Sequence, residues 1–124
     1  DHEHGAIGRQ RDEAALEVFS LLVALEPMES RFHHAASTCL QRLGRHRDAT
    51  LGYIVLKTLE PDNPEPLFRM AECLLALGER ESALGMLDTV VDEFSKAPGD
   101  WHSRASALAR LLRGGSPPSS AREV

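Results

Sequence analysis

Residues 25–44, LEPMESRFHHAASTCLQRLG, return thirty-four positions later as LEPDNPEPLFRMAECLLALG at residues 59–78. Both copies open on Leu-Glu-Pro, and both close on Cys-Leu followed two residues later by Leu-Gly. Working outward, the segment 15–49 set against 49–83 gives ten identities in thirty-five pairs, from Ala15 on Ala49 to Ala49 on Ala83. Composition alone would give only a few. A fixed period of this length marks supersecondary units that stack and bury a shared apolar layer.

Each period holds two helical patterns around a turn. Residues 30–43 carry Phe32, Ala35, Ala36, Cys39, Leu40 and Leu43 at spacings of three and four, closed by Gly44. That is an amphipathic stripe ended by a residue suited to a left-handed cap. A partner helix is expected over 47–59, ended by Pro61, which has no backbone donor to continue it. The next unit repeats the scheme with helices over 66–77 and 80–94 around Gly78. This arrangement resembles the tetratricopeptide repeat, which needs a small residue where its helices cross, a glycine at the turn, a bulky residue in the second helix and a proline at the exit. Ala15, Ala49 and Ala83 fill the small slot and Gly44 and Gly78 the turn. Phe19, Tyr53 and Leu87 fill the bulky slot, and Pro27 and Pro61 the exit.

The expected fold is therefore all-α: helical hairpins stacked in a right-handed superhelix, within one domain over 1–113. It comprises a partial repeat at 11–29, repeats at 30–63 and 64–97, and a capping helix at 100–113 with Asp100 as N-cap. The first ten residues, DHEHGAIGRQ, carry little apolar content and leave the first repeat without its first helix, while the Gly-, Ser- and Pro-rich tail 114–124 is expected to be disordered.

Composition narrows the function. A chain of 124 residues with 42% hydrophobic and 5% aromatic content fits one modest helical core. The net charge of -5, with no basic stripe, argues against nucleic acid. No apolar run approaches a membrane span and the N-terminus has no signal-peptide pattern, so a cytoplasmic address is expected. Two cysteines, Cys39 and Cys73, make no disulfide framework and lack zinc-site spacing; they read as small packing residues.

Catalytic and metal chemistry find little support. His2 and His4 flank Glu3, and His33 adjoins His34, but neither arrangement puts two ligands on one helix face at i, i+4. No metal or other cofactor is expected. The serines lie mostly at helix ends or in the tail, without GxSxG or SxxK. No enzyme is expected; a histidine- and carboxylate-based metalloenzyme is the weaker alternative.

What remains is the hollow side of a helix stack, lined by the first helix of each unit. Positions not used for packing are Arg31, His34, Thr38 and Gln41 in one unit, and Glu65, Phe68, Glu72 and Leu75 in the next. Phe68 and Leu75 would form an apolar wall for a bound peptide, unless they complete the core.

Three stretches carry a closer resemblance: ALEVFSLLVALEPMESRF (15–32), STCLQRLG (37–44) and above all FRMAECLLALGERESA (68–83). Over about two thirds of its length the chain resembles the class II chaperones of type III secretion, which guard translocator proteins in the bacterial cytoplasm. The resemblance implies a chaperone that holds an extended client segment in its concave groove, through His34, Thr38, Gln41, Phe68, Glu72 and Leu75 with Arg69 nearby. It implies secreted translocators as partners, with no nucleic acid and no membrane insertion, and possible homodimers. The family has further helix upstream and more apolar residues where His33 and His34 stand. A generic tetratricopeptide adaptor for another peptide is the alternative. It fits less well, because Arg31 and Arg69 are offset by Glu65 and Glu72 rather than joined by further cations.

Overall fold

A computed structural model describes residues 2–114, with side chains from Gly5 onward. All of its regular structure among the described residues is helical: α1 (His2–Leu25), α2 (Ser30–Arg42), α3 (His46–Leu59), α4 (Glu65–Ala76), α5 (Arg80–Glu93) and α6 (Trp101–Leu112). The chain divides at the Pro61 exit into two compact units, Asp1–Pro61 and Asp62–Val124. In the first, α2 packs against both α1 and α3; in the second, α5 packs against both α4 and α6.

The turns are built as the glycines require. Gly44 and Gly78 both sit at φ 80°, in the left-handed region that only glycine enters without strain. At the first, the Gly44 amide donates to Gln41 O (3.0 Å) and the Arg45 amide to Leu40 O (2.8 Å). At the second, the Gly78 amide donates to Leu75 O (3.0 Å) and the Glu79 amide to Leu74 O (2.8 Å). These paired bonds satisfy the last carbonyls of α2 and α4 and reverse the chain in the same way in each unit.

In the first unit α2 packs against α3, and Ala49, Tyr53 and Leu56 of α3 are buried, as are Ser37 and Cys39 of α2. Gly52 belongs to the same crossing: a Cβ there would overlap Ser37 Oγ and lie 3.2 Å from its Cβ. The close approach thus needs a glycine as well as Ala49. Ser37 Oγ is buried there with no hydrogen-bond partner. The second unit has the larger core, from Leu67, Phe68, Met70, Ala71, Cys73 and Leu74 of α4 to Ala83, Leu87 and Val90 of α5 and Ala105 and Ala109 of α6. Ala83 is 0% exposed, and a leucine there has no space to enter. Ala83→Leu is expected to cost about 1–3 kcal/mol by overpacking, read as a lowered thermal midpoint; an unchanged melt would contradict the packing described for α5.

Three expectations change. Helix α1 begins at His2 rather than at residue 11: the segment contains no proline, and extending an existing helix is far easier than nucleating one, even through Gly5 and Gly8. Ala15 is only half-buried, unlike Ala49 and Ala83. Asp100 precedes α6, but its carboxylate makes no capping bond and lies 4.0 Å from Arg104. The tail 115–124 and the side chains of His2 and His4 lie outside the described residues.

Candidate peptide-binding surface

On α2 the stripe Arg31, His34, Thr38 and Gln41 follows helical spacing and stays wholly or partly open to solvent. Arg31 is its most exposed member, pairing with Glu29 at 3.0 Å and resting 5.6 Å from the Phe32 ring. The Glu29 carboxylate bonded to it raises the Arg31 pKa. Further along, Tyr53 reaches across from α3. Its ring is buried, yet its hydroxyl donates to Gln41 Oε1 (2.9 Å) and lies 3.4 Å from Thr38 Oγ1. Thr38 and Gln41 are thereby held in place by a side chain from the neighbouring helix. Tyr53→Phe is expected to cost about 0.5–1.5 kcal/mol by leaving Gln41 without this donor; an unchanged denaturation midpoint would show that the bond contributes nothing to stability.

His33, next to the stripe, is buried and bonded through Nε2 to Pro27 O at 2.7 Å. It fastens the start of α2 to the exit of α1, a structural role that a lone histidine in a sequence does not reveal. Cys39 is buried behind the same face; burial pushes its thiol pKa up, with the Asp12 carboxylate adding to the effect. Such a thiol stays protonated and unreactive. Neither cysteine takes part in a disulfide, and both are buried.

On α4 the corresponding stripe is a charged ladder. Arg69 bridges Glu65 (3.3 Å) and Glu72 (3.0 Å) along one helix face. Desolvation opposes the Arg69 charge, but the bonds to Glu72 and Glu65 outweigh it and hold its pKa above the usual value. Leu75 is half-buried. Phe68 corrects the expected open wall: it is 4% exposed, its ring centroid 5.4 Å from that of Trp101 on α6. Periodicity put Phe68 on the right helix face without revealing that α6 closes over it. Arg69 and Arg104 stack on these rings, 5.1 and 4.5 Å from the Trp101 centroid.

Among the described residues, no group of three or more His, Cys, Asp or Glu side chains could hold a metal ion. None of the described helices is long and apolar enough to cross a membrane.

A tetratricopeptide-repeat family model matches residues 55–112. No curated protein sequence matches the chain. Among solved structures, the Yersinia enterocolitica type III secretion chaperone SycD in complex with a peptide of the translocator YopD is similar. It has a TM-score of 0.77 and 26% identity over 84% of this chain and 81% of that one. An alternative dimer of SycD matches with the same score and identity, over 84% of this chain and 80% of that chain. PcrH, in complex with the chaperone-binding region of PopD, is similar in fold, with a TM-score of 0.77 and 22% identity over 91% of this chain and 88% of that one.

Proposed function

We propose that this chain, a tetratricopeptide-repeat protein built like the type III secretion translocator chaperones, is itself a chaperone of that class. It binds an extended segment of a hydrophobic translocator in the groove that the resemblance implies and keeps the client soluble and competent for export. The observation that carries this reading is the likeness to SycD with a translocator peptide bound, at 26% identity over most of both chains. The chain acts by binding, without a chemical step or a cofactor, in the bacterial cytoplasm.

The physical logic follows from the client. A protein destined for a membrane carries apolar segments that aggregate in water, and an extended segment can be masked by main-chain and side-chain contacts along a helical surface. The residues assigned to this work are Arg31, His34, Thr38 and Gln41 on α2, and Arg69, Glu72 and Leu75 on α4. The polar pair Thr38 and Gln41 offers fixed hydrogen-bonding groups to a peptide backbone, and Leu75 an apolar contact. Self-association fits the long α1, which leaves Ile7, Val18, Leu21 and Leu25 exposed, an apolar face of the kind that marks interaction sites.

Co-expression with the translocator genes of its own secretion system tests the proposal. A translocator should remain in the soluble fraction and co-purify with the tagged chain, and a double substitution Thr38→Lys and Gln41→Lys should reduce its recovery while the helical spectrum persists. Recovery of no translocator with the unaltered chain would reject the function; undiminished recovery with the double variant would reject the α2 assignment alone.

A further inference from the structure

Helix α6 was expected only to cap the stack, but its first turn contributes to the face of α4. Trp101, the chain's single tryptophan, is half-buried over Phe68. The guanidinium of Arg104 lies 4.5 Å from the Trp101 ring centroid and 4.8 Å from that of Phe68. Two aromatic contacts fix the orientation of a side chain that otherwise loses considerable freedom on binding.

The charges nearby are unequally matched. Arg69 is committed to Glu65 and Glu72 through hydrogen bonds. Arg104 has one carboxylate partner among the described residues, Asp100, at 4.0 Å, which is beyond hydrogen-bonding reach. Its side chain is 40% exposed and that of Asp100 74%, so the pair is weak and open to solvent. A stacked guanidinium with unused donors in a fixed fork is suited to a carboxylate, which can take two of those donors at once.

We propose that Arg104 is a carboxylate-recognition position: a client segment docking on α4 and α6 presents an Asp or Glu side chain to Arg104, beside an apolar residue that rests on the open part of Trp101. This rests on the peptide-binding function and adds a specificity to it. A groove that took apolar segments alone would accept any unfolded chain; one cation at a fixed place selects clients with an acid at the matching position. The preference is for an acidic side chain over a chain-terminal carboxylate, because an extended client continues past the site.

A phage-displayed library of random dodecapeptides, panned on the full chain and on its Arg104→Gln variant, tests this. The unaltered chain should enrich apolar peptides with Asp or Glu at one recurring position; the variant should enrich apolar residues without the acid. A selected peptide is then made with an amidated C-terminus, as the Asp form and the Asn form, and titrated by fluorescence anisotropy. Asp to Asn should weaken binding about tenfold with the unaltered chain and leave the variant's affinity unchanged. Asp100→Asn, a change at an exposed position, should tighten binding of the Asp peptide about two- to threefold by removing the internal competitor. Apolar selection without acid, an equal Asp-to-Asn loss in both proteins, a need for a free C-terminus, or no gain with Asp100→Asn would each overturn the carboxylate site while leaving the peptide-binding function standing. No selected peptide at all would overturn both.

Discussion

Phe68→Ala is expected to destabilise the second unit by about 3–5 kcal/mol, as removal of a buried aromatic ring commonly does. The ring is 4% exposed and lies beneath Trp101, at a centroid separation of 5.4 Å. Its loss leaves a void that α6 fills only by shifting, and it removes one of the two surfaces on which Arg104 stacks. Because the chain has one tryptophan, its fluorescence reports this site directly. The emission should move to longer wavelength as Trp101 becomes more hydrated, together with a lower unfolding midpoint. A variant as stable as the parent, with unchanged emission, would show that α6 does not close over α4.

Leu87→Ala is expected to cost about 2–5 kcal/mol, the range for deleting a large aliphatic side chain from a core that cannot collapse around the gap. Leu87 is 0% exposed, as is Ala83 one turn earlier on α5. Since α5 packs on both α4 and α6, a cavity at Leu87 loosens the helix that joins the unit's other two. Urea denaturation should show a lower midpoint; a shift smaller than that of Ala83→Leu would mean that Leu87 is less central than its burial indicates.

Much of the fold could be read from one period. The Leu-Glu-Pro exits, the turn glycines and the spacing of apolar residues placed five of the six helices among the described residues to within about two residues, because each signal is local: a left-handed turn, a missing donor, a stripe. Most of what the sequence does not show is contact between residues that packing brings together. Phe68 looked open because nothing around it in sequence says that Trp101, thirty-three positions later, covers it. Tyr53 read only as a bulky filler, and the bond from its hydroxyl to Gln41 depends on how α3 lies against α2. The tight approach of Gly52 to Ser37 and the bond of His33 to Pro27 are likewise products of packing. Helix α1 extends through the segment 2–10 despite its low apolar content, because helix propagation needs less than packing does.

The α2 stripe was the more readable part of the surface, since exposure follows from periodicity alone. On α4 the sequence showed Arg69 offset by Glu65 and Glu72, but neither their pairing along one helix face nor the aromatic pair beneath it. Packing thus leaves α2 with fixed polar groups and α4 with charge held over aromatic rings.

A chain that shields the apolar segments of an unfolded translocator must suppress that translocator's aggregation. Light scattering measures it most directly, on dilution of a denatured translocator from its own secretion system into buffer with increasing amounts of the chain. Scattering should be suppressed completely near equimolar chain, and less so by the Thr38→Lys, Gln41→Lys variant. Scattering as strong as in the presence of an inert protein of equal size would contradict the chaperone function.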